Sequence, residues 1–375
     1  MKKISIEELE KLDTDKITII DIRKAEDFKR GTYKNALNIS DDKLSEVPKG
    51  KPVYVLCHTG SNSIYSVEKL TEMGYDAYNI EGGWRAYLRF QLERMIENEE
   101  AEKRTKEIER SIIKKFRKDI WCRFTKAINT YDLIAPNDKI AVCISGGKDS
   151  MLLAKLMQEI KKHGKFPFEL VFLCMNPGYN EDNWQIIRKN AEILGIPLTV
   201  FKSDIFDTVA EIEKNPCYLC ARMRRGHLYS QAKALGCNKI ALGHHFDDMI
   251  ETVLMGMLYS GKIETMLPRL KSQNFEGMEL IRPLYMVKEG AIKAWRDHNK
   301  LHFIQCACRF TENCATCGGG RGSKRDDMKE LIKKFRSESS LIEENIFQSV
   351  HNVNLDTVIG WHKGKEKHDF LKNFK

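Results

Sequence analysis

The sequence predicts an α/β protein in two parts. A small α/β domain occupies residues 1–95, and a larger domain on a doubly wound parallel sheet occupies residues 131–375; a charged helical stretch at 96–130 joins them. Three observations carry this reading. Continuous apolar, β-branched runs, the pattern of strands buried on both faces, alternate with helical patterns in both parts. One such run, residues 140–144, leads directly into Ser145-Gly146-Gly147-Lys148-Asp149-Ser150 and then a helical stretch, MLLAKLMQEIKK. Residues 88–118 are rich in Glu, Lys and Arg, lack Gly and Pro, and read as one long helix.

In the first part, residues 17–22 (ITIIDI), 53–56 (VYVL) and 77–80 read as strands of a parallel sheet. Ligands of such sheets sit beyond the carboxyl ends of the strands. Cys57 falls there and opens the loop Cys57-His58-Thr59-Gly60-Ser61-Asn62-Ser63, ahead of a helix from about residue 64. A cysteine in a loop of small residues beside a helix N-terminus is expected to be a low-pKa nucleophile; the alternative is a buried cysteine that merely ends a strand. The segment resembles a single-domain rhodanese. Asp21-Ile22-Arg23, Asp27-Phe28 with Gly31, and Ala36-Leu37-Asn38-Ile39 match that family's opening pattern. Cys57 with Gly60 and Ser63 matches its active loop, and Gly74-Tyr75 through Gly82-Gly83-Trp84 its closing motif. The resemblance implies a persulfide carried on Cys57. His58 and Asn62 stand where many rhodaneses place arginines, which would hold the thiosulfate dianion. The sulfur donor is therefore open between a cysteine desulfurase and thiosulfate.

Residues 112–124 mix basic and apolar side chains at helical spacing, either a helix packed on its domain or a basic face that meets RNA. In the phosphate-loop hexapeptide, two glycines let the backbone turn tightly with its N–H groups inward, an oxyanion nest. The following helix N-terminus adds partial positive charge and Lys148 a full one. The spacing is not that of a Walker A loop, which needs G-x-x-x-x-G-K-[ST]. Ser145, Gly146, Gly147, Lys148, Asp149 and Ser150 instead resemble the pyrophosphate loop of the N-type ATP pyrophosphatases, which split ATP between its α and β phosphates and adenylate a substrate.

Further strands are expected at 170–174, 198–202, 239–242 and 280–284, with helices at 182–194, 217–235 and from about 248. The nucleotide is expected beside the first strand of this sheet, at its switch point. Met175, ending its strand, stands where it would line an adenine pocket or pack in the core. Gly243-His244-His245-Phe246-Asp247-Asp248 follows a strand, so its two carboxylates either face the phosphates and hold Mg²⁺ or cap the next helix.

Pro216 suits the first position of a helix, which puts Cys217 and Cys220 three apart on one face of its first turn. Such a pair is half of a metal site or a redox pair, and its other ligands would come from Cys306, Cys308, Cys314 and Cys317. Zinc and an iron–sulfur cluster both remain open on spacing, although 93 residues between Cys220 and Cys314 exceed common zinc-ribbon spacing. PCxxCxRMRRGxLY, GHHxDD and IRPL, all behind SGGKDS, resemble the tRNA-cytidine 2-sulfurtransferase family from about residue 110 to the end. That resemblance implies a 4Fe-4S cluster on Cys217, Cys220 and a third cysteine, counted from Ile281-Arg282-Pro283-Leu284 as Cys306. Cys308 and Cys314 are the alternatives, because this region carries an insertion and extra cysteines; Cys317 has no assigned role. Three thiolates would leave one iron without a protein ligand, open to sulfide.

Composition agrees. The 375 residues are 42% hydrophobic and 31% charged, with no apolar run approaching the roughly 20 residues that span a bilayer. MKKISIEELEKL lacks a signal-peptide core, so a cytoplasmic protein is expected, with its 11 cysteines serving metal or thiol chemistry. Residues 1–100 hold 16 Lys and Arg against 19 Asp and Glu, whereas residues 101–375 hold 46 against 34. The basic part suggests a polyanionic partner. Arg222, Arg224 and Arg225, with Arg321, Lys324 and Arg325, are candidates to bind its phosphates or else form a solvated face. The expected function is ATP-dependent thiolation of a tRNA cytidine, with Cys57 and Asp149 as catalytic residues. ATP, Mg²⁺ and a 4Fe-4S cluster are its cofactors. Related enzymes are often dimers, which makes a homodimer an expectation of the resemblance. Thiolation of another base or a small metabolite, or a non-catalytic metal-containing RNA-binding sensor, are the rival readings; the intact SGGKDS and Cys57 loops speak against the sensor.

Overall fold

The computed structural model describes residues 2–97, 101–203, 205, 216–304, 324–339 and 341–371. The first part runs β1 (Lys2–Ile4), α1 (Ile6–Leu9), β2 (Thr18–Asp21), α2 (Ala25–Arg30), β3 (Leu37–Asn38), β4 (Val53–Leu56), α3 (Asn62–Glu72), β5 (Ala77–Ile80). Its strands form one parallel sheet in the order β1-β5-β4-β2-β3. The apolar runs of β2 and β4 are buried at every position, because helices and loops cover both faces of the sheet. Beneath its opening motif, Asp21 and Arg23 form a fully buried pair at 2.6 Å. Arg23 also donates to the Gly31 carbonyl, and Thr32 donates to Asp21 Oδ2, so the burial leaves neither charge without partners.

The charged stretch is not one helix. α4 (Gly83–Glu97) and α5 (Ala101–Ile113) touch each other, and after Ile113 the helix is interrupted by a turn and a π-helical turn at Arg117–Trp121 before α6 (Cys122–Thr130). Their apolar positions, Ile108, Ile112, Phe116, Ile120, Phe124 and Ile128, are buried in the core of the larger sheet. Lys114, Lys115, Arg117 and Lys118 stay exposed between them. Tertiary packing has thus taken the apolar stripe, as amphipathic spacing requires.

The second sheet comprises β6 (Lys139–Ile144), β7 (Glu169–Asn176), β8 (Leu198–Lys202), β9 (Lys239–Ala241), β10 (Arg269–Lys271) and β11 (Glu279–Ile281). The order is β10-β11-β9-β6-β7-β8, parallel except for the antiparallel edge strand β10. Apart from the edge hairpin of β10 and β11, chain order runs outward from β6 in both directions, so the switch point lies at its carboxyl end. Helices α7 (Lys148–His163), α8 (Glu181–Ile193), α9 (Pro216–Ala234), α10 (Phe246–Ser260), α11 (Glu289–His298), α12 (Lys324–Glu338) and α13 (Ile342–Ser349) cover it, and a hairpin of β12 (Gly360–Lys363) and β13 (Glu366–Asp369) follows. Among the described residues, no helix is long and apolar enough to cross a membrane.

α7 is buried nearly all round from Ser150 to Met157, the signature of a helix packed on several sides. That burial includes Lys155, whose ammonium meets Glu109 Oε1 at 2.6 Å, the Leu194 carbonyl at 2.6 Å and Gln158 Oε1 at 2.8 Å. Burial lowers its pKa, with Glu109 opposing the shift. The lysine ties α5 and the end of α8 to the phosphate-loop helix. Removing one partner of such a pair costs about 3–5 kcal/mol, whereas an apolar isostere of the pair is often neutral. Lys155→Ala should therefore lower the urea midpoint sharply, and Lys155→Met combined with Glu109→Gln should recover most of the loss. Equal midpoints for Lys155→Ala and the wild type would show that the clamp stabilises nothing.

Candidate active site

At the end of β6 the chain turns through Gly146, whose φ is +83°. A Cβ there would stand 2.5 Å from Ile187 Cγ1 and 2.8 Å from Ile304 Cδ1, so both the conformation and the space demand glycine. Gly147 is the N-cap of α7 and offers no side chain to its amides. Ser145 and Ser150 close the turn: the Ser145 amide donates to Ser150 Oγ at 3.2 Å, and Ser150 Oγ donates to the Gly147 carbonyl at 3.0 Å. The helix N-terminus is thus left to an external anion. Lys148 Nζ lies 3.0 Å from Asp149 Oδ2 and 3.0 Å from Glu289 Oε1. Burial opposes its charge, but the two carboxylates outweigh it and hold the ammonium above its ordinary pKa. Glu289 is likewise desolvated, yet Lys148 and Lys293 hold its carboxyl down to about 2.

Gly243 brings the end of β9 against this loop, since a Cβ there would be 3.1 Å from the Ser150 amide nitrogen. Asp248 and His245 form a reciprocal capping box on α10: Asp248 Oδ2 accepts from the His245 amide at 3.0 Å. Asp247 points elsewhere, accepting from the Glu289 amide at 2.6 Å and pairing with Arg336 at 3.2 Å. Asp149 Oδ1 is buried and, among the described residues, without a hydrogen-bond partner, 3.8 Å from His245 Nε2. An orphaned carboxylate oxygen beside a phosphate nest fits a cation carried in on a triphosphate. Among the described residues, no group of three or more metal-ligating side chains forms a ready-made metal site. Met175 lies inside β7 rather than at its end, buried at 2% against Ile205 and packed with Phe201, Met223 and Leu228.

In the first part, Cys57 ends β4 and is 2% exposed. Its Sγ accepts from the Gly60 amide at 3.0 Å, and Ser63 Oγ lies 3.1 Å away. Ser63 is held by Asn79 Oδ1 at 2.6 Å, and Asn79 in turn donates to the Gly60 carbonyl at 2.9 Å. The closing motif presses on this loop from outside: the Trp84 amide donates to the Cys57 carbonyl, and a Cβ on Gly83 would sit 2.5 Å from that same oxygen. Arg23 lies over the Trp84 ring at 4.4 Å.

The two loops share a support. Trp84 and His302 meet edge to face at 6.2 Å, and Ile304, two residues on, packs against Gly146. α4 packs along α8, with Arg89 and Asp182 paired at 2.7 Å. Pro216 does open α9, which places Cys217 and Cys220 in its first turn, three residues apart. Cys306, with Cys308, Cys314, Cys317 and Arg321, lies outside the described residues. Sequence reasoning missed Glu289 altogether; its signal would have been an acidic residue opening the helix after the IRPL strand.

A phosphate nest at the switch point of a doubly wound sheet, beside a rhodanese-type cysteine loop, defines a PP-loop protein fused to a rhodanese-like domain. The sequence pattern of the PP-loop domain family ATP_bind_3 matches residues 116–309, and that of rhodanese-like domains matches residues 5–89. A tRNA-cytidine(32) 2-sulfurtransferase of Neisseria meningitidis (strain FAM18) is 35% identical over 233 residues, covering 60% of this chain and 69% of that one. One of Citrifermentans bemidjiense is 34% identical over 236 residues, covering 62% and 89%. The U34-tRNA thiolase NcsA of Methanococcus maripaludis, solved with its 4Fe-4S cluster, aligns at 22% identity over 62% of this chain and 78% of that one, with a TM-score of 0.48. The chain belongs to the tRNA-cytidine(32) 2-sulfurtransferase family.

Because Gly146 has neither the conformation nor the space for a methyl group, Gly146→Ala should weaken ATP binding by about tenfold or more, about 1.4 kcal/mol. Cyanide-dependent sulfur transfer by the Cys57 loop should stay intact. Equilibrium dialysis with labelled ATP checks it; unaltered affinity would remove the nest from the nucleotide site.

Proposed function

We propose that this protein is an ATP-dependent tRNA sulfurtransferase that replaces the C2 oxygen of a cytidine with sulfur. The observation that carries the reading is the uncapped N-terminus of α7 behind the Ser145–Ser150 turn, with Lys148 bracketed by Asp149 and Glu289. The C2 oxygen is a poor leaving group; attack on the α phosphate of ATP makes it a phosphate ester and releases pyrophosphate. The nest amides and Lys148 would take up the charge that develops on the departing phosphates. Asp149, through its unpartnered oxygen, would position a Mg²⁺ bound to the triphosphate, and Asp248 would orient His245 beside it. Gly243 would flank the nucleotide, and Met175 would back its pocket from the core.

Cys57 would carry sulfur as a persulfide, supplied by a cysteine desulfurase or by thiosulfate. Its release as hydrosulfide takes two electrons from a thiol reductant, and attack of that sulfur on C2 expels AMP. Cys217, Cys220 and Cys306 would hold a 4Fe-4S cluster; three thiolates suit that group, and its open iron would supply a binding point for sulfide. The reading is of a cytoplasmic enzyme, acting as a homodimer.

The test is anaerobic assay of the full-length protein on bulk unmodified tRNA, followed by mass spectrometry of nucleosides. AMP, pyrophosphate and 2-thiocytidine should appear together, and only with both tRNA and a sulfur source. Cys57→Ala should abolish thiolation fed by a desulfurase while leaving thiolation fed by free sulfide. ATP that binds but is never cleaved would overturn the proposal.

A further inference from the structure

A second anion site lies beside the phosphate loop, at the carboxyl ends of β9 and β11. Its floor is Arg282, the residue after β11, which is 7% exposed. One guanidinium nitrogen donates to the Leu267 carbonyl, while Nε is buried and, among the described residues, has no hydrogen-bond partner. His244, just beyond β9, carries a buried ring nitrogen, Nδ1, that likewise has no partner among the described residues. Among the described residues, no carboxylate comes within ion-pair distance of Arg282 or of Arg225. Arg225 projects from α9 near enough for its charge to oppose that of Arg282, and Tyr229, one turn along α9, lies near both. Arg325 at the start of α12 completes the rim, but it is already paired with Glu251 at 3.2 Å and near Asp248 at 3.9 Å. Arg224, by contrast, turns to the Tyr179 hydroxyl at 3.2 Å and takes no part.

A buried guanidinium with an unmet donor and no carboxylate in ion-pair distance is costly unless an anion arrives to meet it. We propose that Arg282, Arg225 and His244 form a phosphate subsite for the polynucleotide substrate, gripping a backbone phosphate near the nucleotide to be thiolated. The subsite rests on the reading of the protein as a tRNA-modifying enzyme. Two features favour a polynucleotide over the phosphates of ATP. The triphosphate already has its nest and lysine at residues 145–150. The new site instead grades from an exposed rim, Arg222 and Arg225 three apart on α9, to a buried floor. A large ligand arriving from solvent meets the rim first, and its phosphate reaches the fork beneath. Guanidinium forks match phosphate geometry in a way that a lysine does not.

The test uses full-length protein and bulk unmodified tRNA, with dissociation constants measured by filter binding over a series of NaCl concentrations, and ATP affinity measured separately without RNA. Arg225→Gln, at an exposed position, should weaken tRNA binding by about tenfold at low salt and flatten the log–log salt slope by about 0.7–1. Arg282→Lys, which keeps the charge but loses the fork, should weaken binding with little change of slope. ATP affinity should be unchanged in both. Wild-type tRNA affinity and slope in both variants would overturn the subsite while leaving the proposed function standing. Loss of ATP affinity with tRNA binding intact would also overturn it, and would assign the phosphate to the nucleotide. Failure of the wild type itself to bind tRNA would instead sink the proposed function.

Discussion

Gly146 turns the chain from β6 into α7 at φ +83°, and that turn leaves the first amides of α7 with no side-chain cap. Everything chemical in the larger domain depends on it. A central parallel strand ends where the sheet's winding reverses, so neighbouring loops part and leave a crevice. Ile187 from α8 and Ile304 close on the glycine from the sides, and Gly243 lets β9 approach from a third. The nest is therefore built by close packing at two glycines, Gly146 and Gly243, as well as by its own hydrogen bonds. A methyl group at them would stand 2.5 Å and 3.1 Å from its nearest neighbour, inside van der Waals contact.

The coupling of the two parts follows from the same neighbourhood. Ile304 touches the nest while His302 touches Trp84, whose amide holds the Cys57 carbonyl. Three residues thus bridge the nucleotide loop and the rhodanese loop, immediately before the segment that carries Cys306. α4 extends the closing motif of the first part and lies along α8, and its Arg89 pairs with Asp182. Under the proposed function, a sulfur carrier fixed in this way would deliver its cargo to a neighbouring site at an effective concentration set by geometry, not by diffusion.

The strands at 53–56, 77–80 and 198–202 could be read from sequence to the residue, because each is an apolar or β-branched run bounded by turn residues. The edge strands β10 and β1 could not, although β8, also at an edge, could. β10 reads Arg-Leu-Lys and β1 Lys-Lys-Ile, and at a sheet edge only one flank must be apolar, so no continuous run marks them. The helix expected over 88–118 is interrupted after Ile113 by a turn and a π turn, since charge alternation supports a helix anywhere but does not say where it ends. The nest and the Cys57 loop were legible as local motifs. Glu289 and the orphaned donors of Arg282 and His244 were not: their meaning comes from residues far away in sequence, and an isolated Glu or Arg carries no signature.

The placement of Glu289 explains how a half-buried lysine can wait for a polyanion without destabilising the empty site. An ammonium at the nest with no counter-charge would suffer the full cost of desolvation. Asp149 and Glu289 offset that cost, and their geometry differs in a useful way. Asp149 belongs to α7 itself, whereas Glu289 opens α11 and is pinned from behind, its second oxygen by Lys293 at 2.7 Å and its amide by Asp247 at 2.6 Å. Asp247 in turn holds Arg336 of α12, and Arg336 and Lys288 share Glu343 of α13. The charge on Lys148 is thus continuous with a network that anchors the helices following the cysteine segment. When phosphates replace the carboxylates as its partners, the ion pairs at the root of that network must redistribute.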